Sequence, residues 1–204
     1  MFPGRINWII QLTLVGCLVL GIEQSVNAAE AQEYNVGVGI ADITGPSAEI
    51  GMMGYASATQ SARGIHIRLY SRAFIFDSGE PNGRAVFVSV DCAMIGQAIK
   101  LEVVRELQLK FGTRYTKKNV MLSATHTHSG PAGYMQYALY GISSFGFVQD
   151  NFRAIVDGIV ESIEKADRDI QPGRLSIKRG TVAGANINRS PSSYEANPLE
   201  ERNQ

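Results

Sequence analysis

The chain has 204 residues, enough for one ordinary domain. Its 45% hydrophobic and 19% charged content is that of a globular chain rather than a disordered one. Nineteen basic and nineteen acidic residues cancel, which argues against a nucleic-acid binder or a protein drawn to acidic membranes by charge.

Residues 1–28 read as a cleaved secretory leader. Arg5 gives a short basic start, residues 8–22 are apolar apart from Gln11 and Thr13, and Val26 and Ala28 occupy the −3 and −1 positions of a cleavage site. The apolar run of about 15 residues falls short of the ~20 that span a bilayer. A signal anchor is the first alternative. A lipoprotein box at Leu14-Val15-Gly16-Cys17 is the second, although Leu18-Val19-Leu20 continue the apolar run beyond the cysteine. Residues 29–204 are then the mature, extracellular chain. Cys17 leaves with the leader, so Cys92 is the lone mature cysteine and no intrachain disulfide is expected. A buried free thiol is the plain reading of Cys92.

Val36, Val38 and Ile40 alternate with small residues and predict the first strand, ended by a turn at Asp42-Ile43-Thr44-Gly45-Pro46. Gly51-Met52-Met53-Gly54-Tyr55 reads as an apolar loop. Residues 69–77 and 84–90 read as two strands of a hairpin, joined through the turn formers of 78–83. Ile99, Val103, Leu107 and Phe111 fall four apart and predict a helix over 98–111, with Gly112 at its C′ position. A strand through Asn119-Val120-Met121-Leu122 follows. Phe152, Ile155, Val156, Ile159, Val160 and Ile163 form one stripe of a helix over 151–166, stopped by Gln171-Pro172-Gly173. Leu175 and Ile177 alternate with polar neighbours in a further strand. Residues 186–202 are polar, Pro-punctuated and without a core face: either a plain tail or a loop of a site. This order predicts an α/β fold, a mixed β-sheet with flanking helices.

Two of the three histidines stand one residue apart in Ser123-Ala124-Thr125-His126-Thr127-His128-Ser129-Gly130-Pro131. A strand continuing through them would point both imidazoles to one face and into one site at a strand end. Neutral imidazole is the commonest metal ligand and a common general acid or base. Gly130-Pro131 then opens a loop. The competing reading is a pair of inert polar residues in a surface turn. Two histidines do not complete a catalytic zinc site, which takes about three protein ligands and an open position. His66 reads as a strand edge rather than a third ligand. A metallo-β-lactamase pattern would need Asp at 130 and His at 131, where this chain has Gly130 and Pro131. An amidohydrolase barrel would need later histidines, and none follows His128. Ser129 and Ser190 lie outside any Gly-x-Ser-x-Gly and read as turn residues. Arg189 suits an anion or a carbonyl oxygen, or is a solvated surface cation.

In this order and spacing, five segments resemble the N-terminal part of neutral ceramidases, over residues 35–202. They are Val38-Gly39-Ile40-Ala41-Asp42-Ile43-Thr44-Gly45, Met53-Gly54-Tyr55, Arg68-Leu69-Tyr70-Ser71-Arg72-Ala73-Phe74, the His126/His128 segment, and Asn188-Arg189-Ser190-Pro191. The resemblance implies an α/β catalytic domain followed by an immunoglobulin-like domain. It implies a zinc-dependent amidase that cleaves ceramide into sphingosine and a fatty acid. It implies that His126 binds Zn2+, that His128 stands beside the metal and contacts substrate or the reacting oxygen, and that Arg189 reaches the active site. Ceramide and other N-acyl sphingoid lipids are the implied partners, met at a membrane surface. The family's remaining zinc ligands (a His, a Glu and a Tyr) and its Gly-Asp-x-Ser-Pro-Asn segment have no counterpart here. Residues 29–204 are therefore expected to be an incomplete N-terminal portion of a larger catalytic domain, inactive alone and poorly soluble through an exposed apolar sheet edge. A non-catalytic short isoform that binds lipid or a protein partner is the other expectation. Met52-Met53 or Tyr134-Met135 are candidates to line a path for lipid chains, with core packing as their alternative use.

Overall fold

The structure is a computed structural model and describes residues 33–185, 187 and 189–202. The predicted leader lies outside them. The chain runs β1 (Glu33–Asp42), β2 (Ala48–Gly51), β3 (Ser61–Arg63), β4 (Tyr70–Asp77), β5 (Arg84–Val90), α1 (Gln97–Phe111), β6 (Val120–Ala124), α2 (Ala138–Ser143), α3 (Gln149–Arg168), β7 (Gln171–Arg174) and α4 (Pro191–Glu195). Five strands form one sheet in the order β6-β5-β4-β1-β7, and β2 pairs with β3 in a small second sheet. The β5–β6 pairing is parallel and the other pairings of the large sheet are antiparallel. The fold is thus the mixed α/β sheet that the sequence predicts.

The hairpin of β4 and β5 and the two long helices fall within a few residues of their predicted bounds. Gly112 ends α1 at φ 61°, the left-handed region a glycine enters freely, and its N–H bonds the Gln108 carbonyl. Two expectations fail after α3. Gln171-Pro172-Gly173 does more than stop the helix: it belongs to β7, an edge strand paired with β1, where a proline is tolerated. Leu175 and Ile177 form no strand and are exposed.

One sheet face is packed and the other is open. Ile75, Val86, Val88 and Val90 point inward and are fully buried with Val103 and Leu107 of α1 and Ile159 and Ile163 of α3. On β1 the apolar alternation faces outward: Val38 and Ile40 are about half exposed. The small residues of that strand face α3 instead. A Cβ on Gly37 would stand 2.0 Å from the Ala166 carbonyl oxygen, and one on Gly39 would stand 2.1 Å from that of Ser162. Backbone meets backbone there, and only glycine leaves the room. On the open face Val38, Phe74, Phe87 and Met121 form one apolar row across four strands, each in register with the next. An exposed apolar sheet face thus stands beside the edge strand β6, whose Met121 ends the row.

Gly37→Ala must push α3 off β1, because the obstacle is backbone rather than a flexible side chain. Overpacking of this kind costs about 1–3 kcal/mol, and the backbone clash predicts the upper end, read as a lower urea midpoint at an unchanged slope.

Candidate active site

Parallel pairing makes β5 and β6 leave the sheet at the same end, with α1 as the crossover between them. Ligand sites of α/β sheets form outside the carboxyl ends of such strands. The two loops are stitched together there. Thr125 N–H donates to the Val90 carbonyl at 2.9 Å, and His126 N–H donates to that of Cys92 at 3.1 Å.

β6 ends at Ala124, so the strand does not carry the histidines as expected. His126 takes φ 62°, a left-handed conformation that costs a non-glycine residue about 1–3 kcal/mol. That turn swings its ring toward the β5 loop, where Nδ1 lies 2.8 Å from the Ala93 carbonyl oxygen. A carbonyl only accepts, so Nδ1 carries a proton, and in the neutral ring Nε2 holds the lone pair. His128 meets that lone pair, with Nε2 to Nε2 at 3.1 Å and the rings in a T-shaped contact at 4.7 Å. His128 Nε2 is then the donor. The two rings share one site, but the loop conformation brings them together rather than a period of two.

His128 is seated from the other side by the segment after β2. The Tyr55 ring meets it edge-on at 4.4 Å. Gln60 donates to the His128 carbonyl at 3.2 Å. Met53 N–H reaches the Gly130 carbonyl at 3.2 Å, and Ala132 N–H reaches that of Gly51 at 2.8 Å. Gly54 lies directly under the ring at φ 138°, and a Cβ there would fall 2.3 Å from the His128 Cγ. The Met53-Gly54-Tyr55 segment is therefore the bed of the His128 ring, a role that one sequence does not reveal.

The β5 loop is buried and anchored. Cys92 is a buried free thiol, as expected, and burial pushes its pKa up to about 12. The Tyr134 hydroxyl accepts the N–H groups of Ala93 and Met94 at 3.2 and 3.3 Å. Tyr134 and Met135 are core residues, not a lipid path. An apolar cavity of about 590 Å³ does open beside the pair, lined by Met53, Gly54, Met94, Leu139, Tyr140, Ile142 and Phe145 among others. It touches both supports of the histidines: Gly54 lies under His128, and Met94 follows the carbonyl that holds His126.

Arg189 is exposed just ahead of α4, and among the described residues no hydrogen bond or ion pair joins it to either ring. His66 is exposed in irregular chain between β3 and β4 rather than on a strand edge. Ser129 is exposed, and its N–H bonds the Thr127 hydroxyl in a local turn. Ser190 precedes α4. The donor set fits one corner of a metal site, since His126 Nε2 presents a committed lone pair. Among the described residues no group of three or more His, Cys, Asp or Glu side chains is placed to hold a metal ion.

Gly54→Ala is expected to displace the His128 ring and break its contact with His126. The change is read as altered His128 imidazole resonances, with stability lower by about 1–3 kcal/mol.

Three comparisons with known proteins bear on the chain and its fold. Residues 34–204 match the family model described as neutral/alkaline non-lysosomal ceramidase, N-terminal. The chain is 48% identical over 195 residues to neutral ceramidase A of Dictyostelium discoideum, covering 95% of this chain and 27% of that protein. It is 46% identical over 185 residues to the neutral ceramidase of Pseudomonas aeruginosa, covering 91% of this chain and 28% of that one. The crystal structure of neutral ceramidase from Pseudomonas aeruginosa superposes with a TM-score of 0.79 at 48% identity, over 82% of this chain and 26% of the other. A structure titled as a ceramidase complexed with C2 matches equally well. The chain spans about a quarter of the length of the curated relatives it matches. A match of this extent and identity makes the chain a member of the neutral/alkaline non-lysosomal ceramidase family, corresponding to its N-terminal part.

Proposed function

We propose that these residues form one wall of the active site of a zinc-dependent ceramidase, which hydrolyses the amide of ceramide to sphingosine and a fatty acid. The observation that carries this reading is the His126 ring, bound through Nδ1 to Ala93 with its Nε2 lone pair turned toward His128 beside an apolar cavity. His126 Nε2 would hold the metal. A zinc ion so held lowers the pKa of bound water to about 7 and polarises a carbonyl, which amide hydrolysis at neutral pH requires. His128, beside it, would turn an Nε2–H to the carbonyl oxygen of the amide and to the negative charge it develops. The cavity suits a hydrocarbon chain, being largely apolar and of ordinary ligand-pocket size. Arg189 would join the site to bind a carbonyl or anionic oxygen, and the exposed Leu139, Ile142 and Phe145 would meet a lipid surface.

One corner of a metal site does not fix a metal, so the chain by itself is expected to bind ceramide without turning it over. Binding without catalysis is the second reading.

The test is a chimera in which this chain replaces the matching quarter of the Pseudomonas aeruginosa relative, assayed with zinc and a short-chain fluorescent ceramide. The chimera is expected to turn over, His126→Ala to lose at least about a hundredfold, and the chain alone to show no turnover. A chimera that keeps full activity and zinc content after His126→Ala refutes the ligand role. We also propose that residues 1–28 are removed on secretion. N-terminal sequencing of exported protein should then begin at Ala29, and retention of Met1 would show an anchor instead.

A further inference from the structure

The Ala93 carbonyl that receives the His126 proton belongs to the same peptide unit as the Met94 N–H. A trans peptide is planar, so its C=O and N–H point in opposite directions, and fixing one fixes the other. The Met94 N–H donates to the Tyr134 hydroxyl at 3.3 Å, and the Ala93 N–H donates to the same oxygen at 3.2 Å. On the opposite side of that plane, the carbonyl faces His126 Nδ1 at 2.8 Å. Tyr134 is 1% exposed, so its hydroxyl is withdrawn from solvent. Its own place is fixed at its neighbour. Gly133 at φ 80° packs against Val148, whose N–H bonds the Gly133 carbonyl at 2.7 Å.

We propose that Tyr134 is a positioning residue, holding the Ala93–Met94 peptide plane so that His126 stays in the Nδ1–H tautomer with its Nε2 lone pair outward. The inference rests on the role proposed for His126, but it concerns the protonated nitrogen of the ring and not turnover. Without the hydroxyl, a buried N–H and a part-buried one lose their acceptor, and rotation of the plane becomes the route to new partners. Rotation withdraws the carbonyl from Nδ1, and the ring is then free to place its proton on either nitrogen. The lone pair would no longer be held at the position where a metal is to be met. Tautomer control by a hydrogen bond to the far ring nitrogen is the usual means of orienting a ligating histidine. Here the control reaches one step further, through the backbone to a phenol in the core.

The experiment labels histidine with 15N in the full 204-residue chain and reads the ring nitrogen shifts and couplings at a pH where all three imidazoles are neutral. His66, exposed and outside the pair, is the internal reference. The unaltered chain is expected to show His126 as Nδ1–H. Tyr134→Phe, which keeps the ring in the core, is expected to lose about half or more of that population to Nε2–H while His66 is unmoved. An Nε2–H tautomer in the unaltered chain overturns the proposal. So does a folded Tyr134→Phe that keeps its full Nδ1–H population, since the tyrosine then only fills space. If Tyr134→Phe does not fold, 4-fluorophenylalanine at the same position fills the hydroxyl's space without accepting, and its His126 tautomer decides by the same criterion. The readout uses neither zinc nor ceramide, so failure of the chimera assay and failure of this proposal are separate results.

Discussion

The parallel pairing of β5 with β6 is the constraint on which the site depends. Antiparallel neighbours would send the two loops to opposite ends of the sheet. The α1 crossover returns the chain so that both strands end on one side, at Val90 and Ala124. From there the Thr125 and His126 amides bond back to the carbonyls of the β5 loop. The loop that carries the imidazoles and the loop that receives the Nδ1 proton are thereby held at hydrogen-bonding distance before any ligand arrives. The left-handed turn at His126 is strain stored by that arrangement, and five hydrogen bonds between the two loops and Tyr134 hold it in place.

The sheet behind the site is one-sided. Glycines on β1 let α3 approach until its carbonyls touch the strand, which closes one face. The other face carries Val38, Phe74, Phe87 and Met121 in a row, with the two phenylalanine rings 6.5 Å apart and nearly parallel. Apolar side chains in such a row resemble a core more than a solvated surface. At the far end of the sheet Arg84 bridges Asp77 at 2.7 Å and Asp167 at 2.9 Å, and Tyr115 and Arg114 also bond Asp167. Half-buried charges so fully paired tie β4, β5 and α3 together away from the chemistry.

The site combines polar precision with an apolar neighbour. His126 and His128 meet through their Nε2 atoms at 3.1 Å, so the tautomer of one ring sets the role of the other. Gly54 and Tyr55 fix His128, and Ala93 fixes His126. The supports on both sides also line the cavity, so a hydrocarbon chain bound there would lie against the residues that aim the imidazoles.

Periodicity in the sequence determined much of the frame. The stripe of α3, the four-residue spacing of α1 and the alternation of β4 and β5 predicted those elements, because each period has one way to bury its apolar side. The His-x-His segment named the site for the same local reason: chemistry-bearing residues stood at the end of an apolar run. Alternation also found β1 but did not say which of its faces is packed: Val38 and Ile40 face out, because helix approach and not hydrophobicity decided it. Alternation misled at Leu175 and Ile177, where among the described residues no neighbouring strand completes a ladder. The tautomer of His126, the glycine bed under His128 and the role of Tyr134 came only from tertiary structure. Each depends on a backbone group or a space supplied from 33 to 74 positions away in the chain, and a single sequence holds no record of which peptide plane a distant side chain will meet.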